Sequence, residues 1–80
     1  MHILYFAALR ELTGQAEEHL FIPSEVRTVR DFVQYMESMR PTLAGKLVSV
    51  RVALDETFAL DSDLLGAAKV IALIPPVAGG

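Results

Sequence analysis

The sequence predicts an α+β fold, a mixed sheet of about five strands with one main helix on one face. Three observations carry that prediction. Two almost wholly apolar runs, residues 2–8 and 69–74, stand near opposite ends of the 80-residue chain, as expected of strands covered on both faces. Between residues 28 and 40 the apolar side chains recur at helical spacing. Residues 48–55 instead alternate in the two-residue period of a strand with one wetter face.

Element by element, the run from His2 to Ala8 is rich in β-forming types and reads as a strand at the sheet centre. Arg10 to Gln15 loses that pattern and contains Gly14, which reads as a turn, and Glu18 to Ile22 then alternates partly until Pro23-Ser24 stops it. Thr28 can cap a helix whose N-terminal dipole Asp31 favours. Val29, Phe32, Val33 and Met36 form its apolar stripe, a core stripe in which Met36 and Met39 need no cofactor to explain them. Pro41 ends the helix, and a short irregular or helical turn carries the chain to Lys46.

From Val48 a strand alternates Val50, Val52 and Leu54 with Ser49, Arg51, Ala53 and Asp55, and Asp55-Glu56 supplies a hairpin turn into Thr57 to Leu60. Asp61 to Gly66 reads as a turn or one helical turn before the final strand, Lys69 to Ile74. First and last strands at the centre, one helix across a face and a wetter hairpin between them describe a β-grasp, or ubiquitin-like, fold. The expected organisation is one domain, residues 1–74, followed by an extended tail, residues 75–80.

Composition narrows the function. Eighty residues make one small domain, with 52% hydrophobic residues, too apolar to be disordered. The longest apolar stretches fall far short of the ~20 residues of a membrane span, and the first lacks the basic leader of a secretory signal, so the expected location is the cytoplasm. The absence of cysteine removes disulfides and thiolate chemistry. A net charge of −3 with scattered Arg and Lys offers no basic stripe for nucleic acid.

Few side chains suggest catalysis. His2 and His19 lack metal-site companions and read as surface strand histidines. Asp61-Ser62-Asp63 begins like a calcium loop, but Leu64 and Leu65 follow where oxygen ligands are required. Glu17-Glu18 and Asp55-Glu56 are neighbours that point to opposite faces on a strand, so they read as solvated charge and not as acid/base pairs. No nucleophile elbow or phosphate-cradling glycine loop is present. Phe58 and Leu60 lie in the more exposed hairpin, where they are either ordinary surface or a docking patch beside the tail.

The tail is the most informative segment. Ile74-Pro75-Pro76-Val77-Ala78-Gly79-Gly80 is an apolar strand end, two stiffening prolines, and a diglycine that arises by chance in roughly 0.5% of chains. Prolines favour an extended exit, and glycines pass where a side chain would jam. Six residues span at most about 20 Å, enough to carry a terminal carboxylate into a narrow pocket of another protein. That carboxylate can attack the α-phosphate of ATP to give an acyl adenylate open to sulfur or nitrogen nucleophiles. The chain carries no equipment for ATP or magnesium, so the enzyme for that step would be a separate protein. A frayed end without function is the alternative.

With Phe6-Ala7-Ala8-Leu9-Arg10-Glu11-Leu12-Thr13-Gly14 near the start and Ile74-Pro75-Pro76-Val77-Ala78-Gly79-Gly80 at the end, the chain resembles the small subunits of molybdopterin synthase across nearly all of its length. The resemblance implies a β-grasp sulfur carrier, itself not catalytic. It implies that an E1-like enzyme using ATP and magnesium adenylates Gly80, which becomes a thiocarboxylate. The tail would then enter the large synthase subunit, in a heterotetramer, and deliver sulfur to precursor Z, the cyclic pyranopterin monophosphate. Gly79, Ala78, Val77, Pro76 and Pro75 would form the inserted arm, and Phe58, Ile74 and Ala7 the docking face. Gly66-Ala67-Ala68-Lys69 stands where the family often has an acidic turn, and Ala7 where it often has a bulkier aromatic. The same terminus would also serve a carrier for thiamin or another thiolation pathway, a ubiquitin-like protein modifier, or an interaction module in which the glycines are incidental.

Overall fold

Alternation along β1 (His2–Tyr5) sends Ile3 and Tyr5 into the core and leaves His2 and Leu4 on the other side. The computed structural model describes residues 1–76. Beyond β1 its elements are α1 (Ala8–Thr13), β2 (Glu17–His19), α2 (Val29–Met39), β3 (Arg51–Leu54), β4 (Thr57–Ala59) and β5 (Val70–Ile74), with a 3-10 turn at Pro41–Leu43. The sheet has five strands in the order β2-β1-β5-β3-β4. β1 and β5 are parallel, with Ile3 beside Ile71 and Tyr5 beside Leu73, and the other pairs are antiparallel. The first and last strands therefore lie inside the sheet, as their apolar character predicts, and the architecture is the β-grasp.

α2 forms where the spacing places it. The Thr28 hydroxyl accepts the Asp31 N–H while the Asp31 carboxylate accepts the Thr28 N–H, each at 3.1 Å, a complete capping box. The Asp31 carboxylate also accepts the Arg27 N–H at 3.1 Å, and these two donors, first Arg27 and then Thr28, hold the Asp31 carboxyl below its ordinary range. Val29, Phe32 and Met36 are fully buried, each worth about 1.5–3 kcal/mol of apolar burial. They pack with Ile3, Tyr5, Leu43, Leu47, Val52, Leu65, Ile71 and Leu73. The segment 60–65 closes over the start of α2, with the Asp61 and Asp63 carbonyls accepting the Arg30 and Val29 N–H groups. Asp61 to Asp63 is the turn expected from its sequence.

Several boundaries differ. The first strand stops at Tyr5, and α1 occupies much of the expected turn. Ala, Leu, Arg and Glu are strong helix formers, and Leu9 turns into the core while Gly14, at φ +76°, closes the helix by donating its N–H to the Arg10 carbonyl. β2 ends at His19, short of Ile22, and β3 starts at Arg51, short of Val48, which is exposed in the preceding loop. Ala53, expected on a wet face, is buried between Ala72 and Phe58, its neighbours in register. Asp55 and Glu56 make the expected hairpin turn with both φ angles positive, +47° and +71°. The Asp55 carboxylate accepts the Lys69 and Val70 N–H groups at 3.0 and 2.9 Å, tying the turn to the start of β5.

Candidate functional site

The helices and the 3-10 turn pack on one side of the sheet, and the register assembles an apolar strip on the other. Leu4, Ala72, Ala53 and Phe58 stand side by side across β1, β5, β3 and β4. One step toward the C-terminal end of β5, Ile74 lies opposite Arg51. Phe58 is 57% exposed, and Arg51 places its guanidinium carbon 4.3 Å from the Phe58 ring centroid, within cation–π range. β5 is hydrogen-bonded on both edges, and the chain leaves it at Ile74 directly into Pro75 and Pro76. Ile74 is therefore held in the central strand of the sheet, at the margin of its open apolar face.

Of the expected docking residues, Phe58 and Ile74 do share this face. Ala7 does not. It sits beyond the end of β1 in the turn that starts α1, with φ +51°, so it is no part of the sheet. Its neighbour Phe6 lies on the open face. The Phe6 N–H continues the ladder by donating to the Leu73 carbonyl at 3.2 Å, and alternation from His2 and Leu4 puts Phe6, 40% exposed, on the open side. Phe6 was available to sequence reasoning through strand parity, counted back from the buried Ile3 and Tyr5. Pro75 is half-buried and Pro76 exposed. Val77, Ala78, Gly79 and Gly80 lie outside the described residues.

The adjacent carboxylates do diverge, but only one is solvated. Glu17, on the open side, meets His2 Nε2 at 3.1 Å beside the stacked ring of His19. Glu18 turns inward, where its side chain is 10% exposed, accepts from the Tyr5 hydroxyl and pairs with the Arg40 guanidinium. Burial, and then the Glu18 contact, push the Tyr5 phenol well above its ordinary value, while the same carboxylate raises Arg40. This network ties β1 and β2 to the end of α2, and sequence reasoning missed it.

Among the described residues no cluster of three or more His, Cys, Asp or Glu side chains could hold a metal ion. A groove of about 560 Å³ near Met1, Phe21 and Val26 has Lys69 as its one titratable side chain. It lies at the start of β5, far from the tail root. No described helix is long and apolar enough to cross a membrane.

Residues 3–80 match the ThiS family. The chain belongs to that family. A molybdopterin synthase sulfur carrier subunit of Arabidopsis thaliana is 33% identical over 98% of this chain and 80% of its own length. The subunit of the same name from Homo sapiens is 29% identical over all of this chain and 93% of its own. Among solved structures, SAMP1 of Haloferax volcanii superposes with a TM-score of 0.80 at 23% identity, over 99% of this chain and 97% of that one. For this ThiS-family chain that likeness confirms the ubiquitin-like fold.

Proposed function

We propose that this ThiS-family chain is the sulfur-donor subunit of a molybdopterin synthase, not catalytic alone. The Gly80 carboxylate attacks the α-phosphate of ATP in an E1-like enzyme that also binds the magnesium, pyrophosphate leaves, and a sulfur nucleophile displaces AMP to give a thiocarboxylate. The carrier then docks through its open face on the large subunit, in a heterotetramer, and inserts residues 75–80 so that Gly80 passes sulfur to precursor Z. Gly79 gives clearance, and Pro75, Pro76, Val77 and Ala78 form the arm. The chain itself needs no cofactor, and its place of work is the cytoplasm.

The observation that carries this reading is the family match running through Gly80, on a scaffold whose apolar face adjoins the root of that tail. Its test is co-production with the E1-like enzyme, ATP and a sulfur source. The intact chain should gain the mass of sulfur replacing one oxygen at Gly80, and a chain lacking Gly79 and Gly80 should fold but gain nothing. An unchanged mass in the intact chain would refute the reading. Rescue of molybdoenzyme activity identifies the pathway, whereas rescue of thiamin auxotrophy alone, or Gly80 joined to lysines of other proteins, would reassign it.

A further inference from the structure

Arg51 is the cation at the Ile74 end of the open apolar face, whose other end carries Asp55 and Glu56 beside Leu4 and Val70. The register opposes Arg51 to Ile74, the last residue of β5, and stacks its guanidinium over Phe58. Stacking covers one flank of the planar group and leaves its N–H edges free to donate. Among the described residues Arg51 has no carboxylate within ion-pair distance. The pairs that do form are Arg30 with Asp61, Arg40 with Glu18 and His2 with Glu17. The last of these is on β1 and β2, three strands from β3 at its β2 end.

A partner that covers Phe58 and Ile74 must also cover Arg51. Against a wholly apolar surface that would strand a desolvated charge, which is costly unless the charge is paired. Building on the carrier reading above, we propose that Arg51 is the specificity-determining cation of the docking face. The partner surface that meets it is apolar and carries one Asp or Glu aimed at the guanidinium edge. Stacking on Phe58 holds the fork in place before contact, so little side-chain freedom is lost on pairing. Since Ile74 is the residue opposite Arg51, the ion pair forms beside the root of the tail and sets the register in which the tail meets its pocket. A partner with a neutral or basic residue at that point is discriminated against, because charge complementarity contributes specificity more than raw affinity.

The test is calorimetric binding of the full-length chain to the large synthase subunit at low and high salt. Arg51→Ala should weaken binding about tenfold or more at low salt and flatten its salt dependence. Arg51→Glu should bind more weakly still, and an Asp or Glu→Arg change at the facing position of the large subunit should restore it. Thermal melts should stay unchanged, because Arg51 and Phe58 are both exposed. If the native chain binds and Arg51→Ala matches it at both salt concentrations, this inference is wrong and the carrier reading stands. If the native chain does not bind the large subunit, both fall.

Discussion

Tyr5 on β1 donates its hydroxyl to the Glu18 carboxylate on β2, and the Arg40 guanidinium holds the same carboxylate from the end of α2. Removing the cation leaves a largely buried carboxylate with only the phenol for company. Arg40→Ala should therefore cost about 3 kcal/mol, the low end for breaking a buried pair, since part of the Arg40 side chain is in water. Urea unfolding measures this. The triple change Tyr5→Phe, Glu18→Leu, Arg40→Met should recover most of the loss, and a stable Arg40→Ala protein would show that the network matters little.

The same contact makes the fold sensitive to alkali. Burial and Glu18 raise the Tyr5 phenol above its ordinary value of 10.0, so the folded chain keeps a proton that the unfolded chain releases. The unfolded state then binds fewer protons above about pH 10, and stability falls there as pH rises, by up to about 1.4 kcal/mol per pH unit. Below pH 10 the contribution is intact. Tyr5→Phe should lose about 1 kcal/mol at neutral pH, the worth of one hydrogen bond, but show a flatter stability curve above pH 10. Equal slopes in the two proteins would contradict the assignment.

Two positive φ angles at Asp55 and Glu56 give the β3–β4 hairpin the backbone of a turn that normally recruits glycine or asparagine. Asp55 is retained for a reason, since its carboxylate accepts two N–H groups at the start of β5. Glu56 makes no hydrogen bond among the described residues that would explain it. Glu56→Gly should stabilise the domain by about 0.5–1 kcal/mol by relieving the left-handed strain, read as a higher melting temperature. Asp55→Gly should destabilise it, because the two N–H groups lose their acceptor.

The elements legible in the sequence were those with a single dominant signal. The capping pair of Thr28 and Asp31, the stripe of Val29, Phe32 and Met36, and the apolar final strand each have one physical solution. The first helix was hidden because Ala7, Ala8 and Leu9 continue the apolar run of β1 without interruption, and composition alone does not mark where a strand becomes a helix. Glu18 was hidden because charge suggests solvent, whereas its partners Tyr5 and Arg40 come from 13 and 22 residues away. That Phe58 and Ile74 share the open face was recoverable from strand period, whereas the expected strand through Ala7 ends two residues earlier, and a slip of one residue exchanges the two faces of a strand.

The separate placement of Phe6 and Ala7 can be tested directly. Phe6 extends the open face and Ala7 sits in the turn beyond it, so the two neighbours should respond in opposite ways. If the open face docks as proposed, Phe6→Ala removes exposed apolar area from it and should weaken binding to the large subunit about tenfold or more, with little change in melting temperature. Ala7→Gly relieves a left-handed φ of +51° and should raise stability by about 0.5–1 kcal/mol without loss of binding. Calorimetry and thermal melts on both variants separate the outcomes. Weaker binding by Ala7→Gly alongside an unaffected Phe6→Ala would return Ala7 to the docking face and remove Phe6 from it.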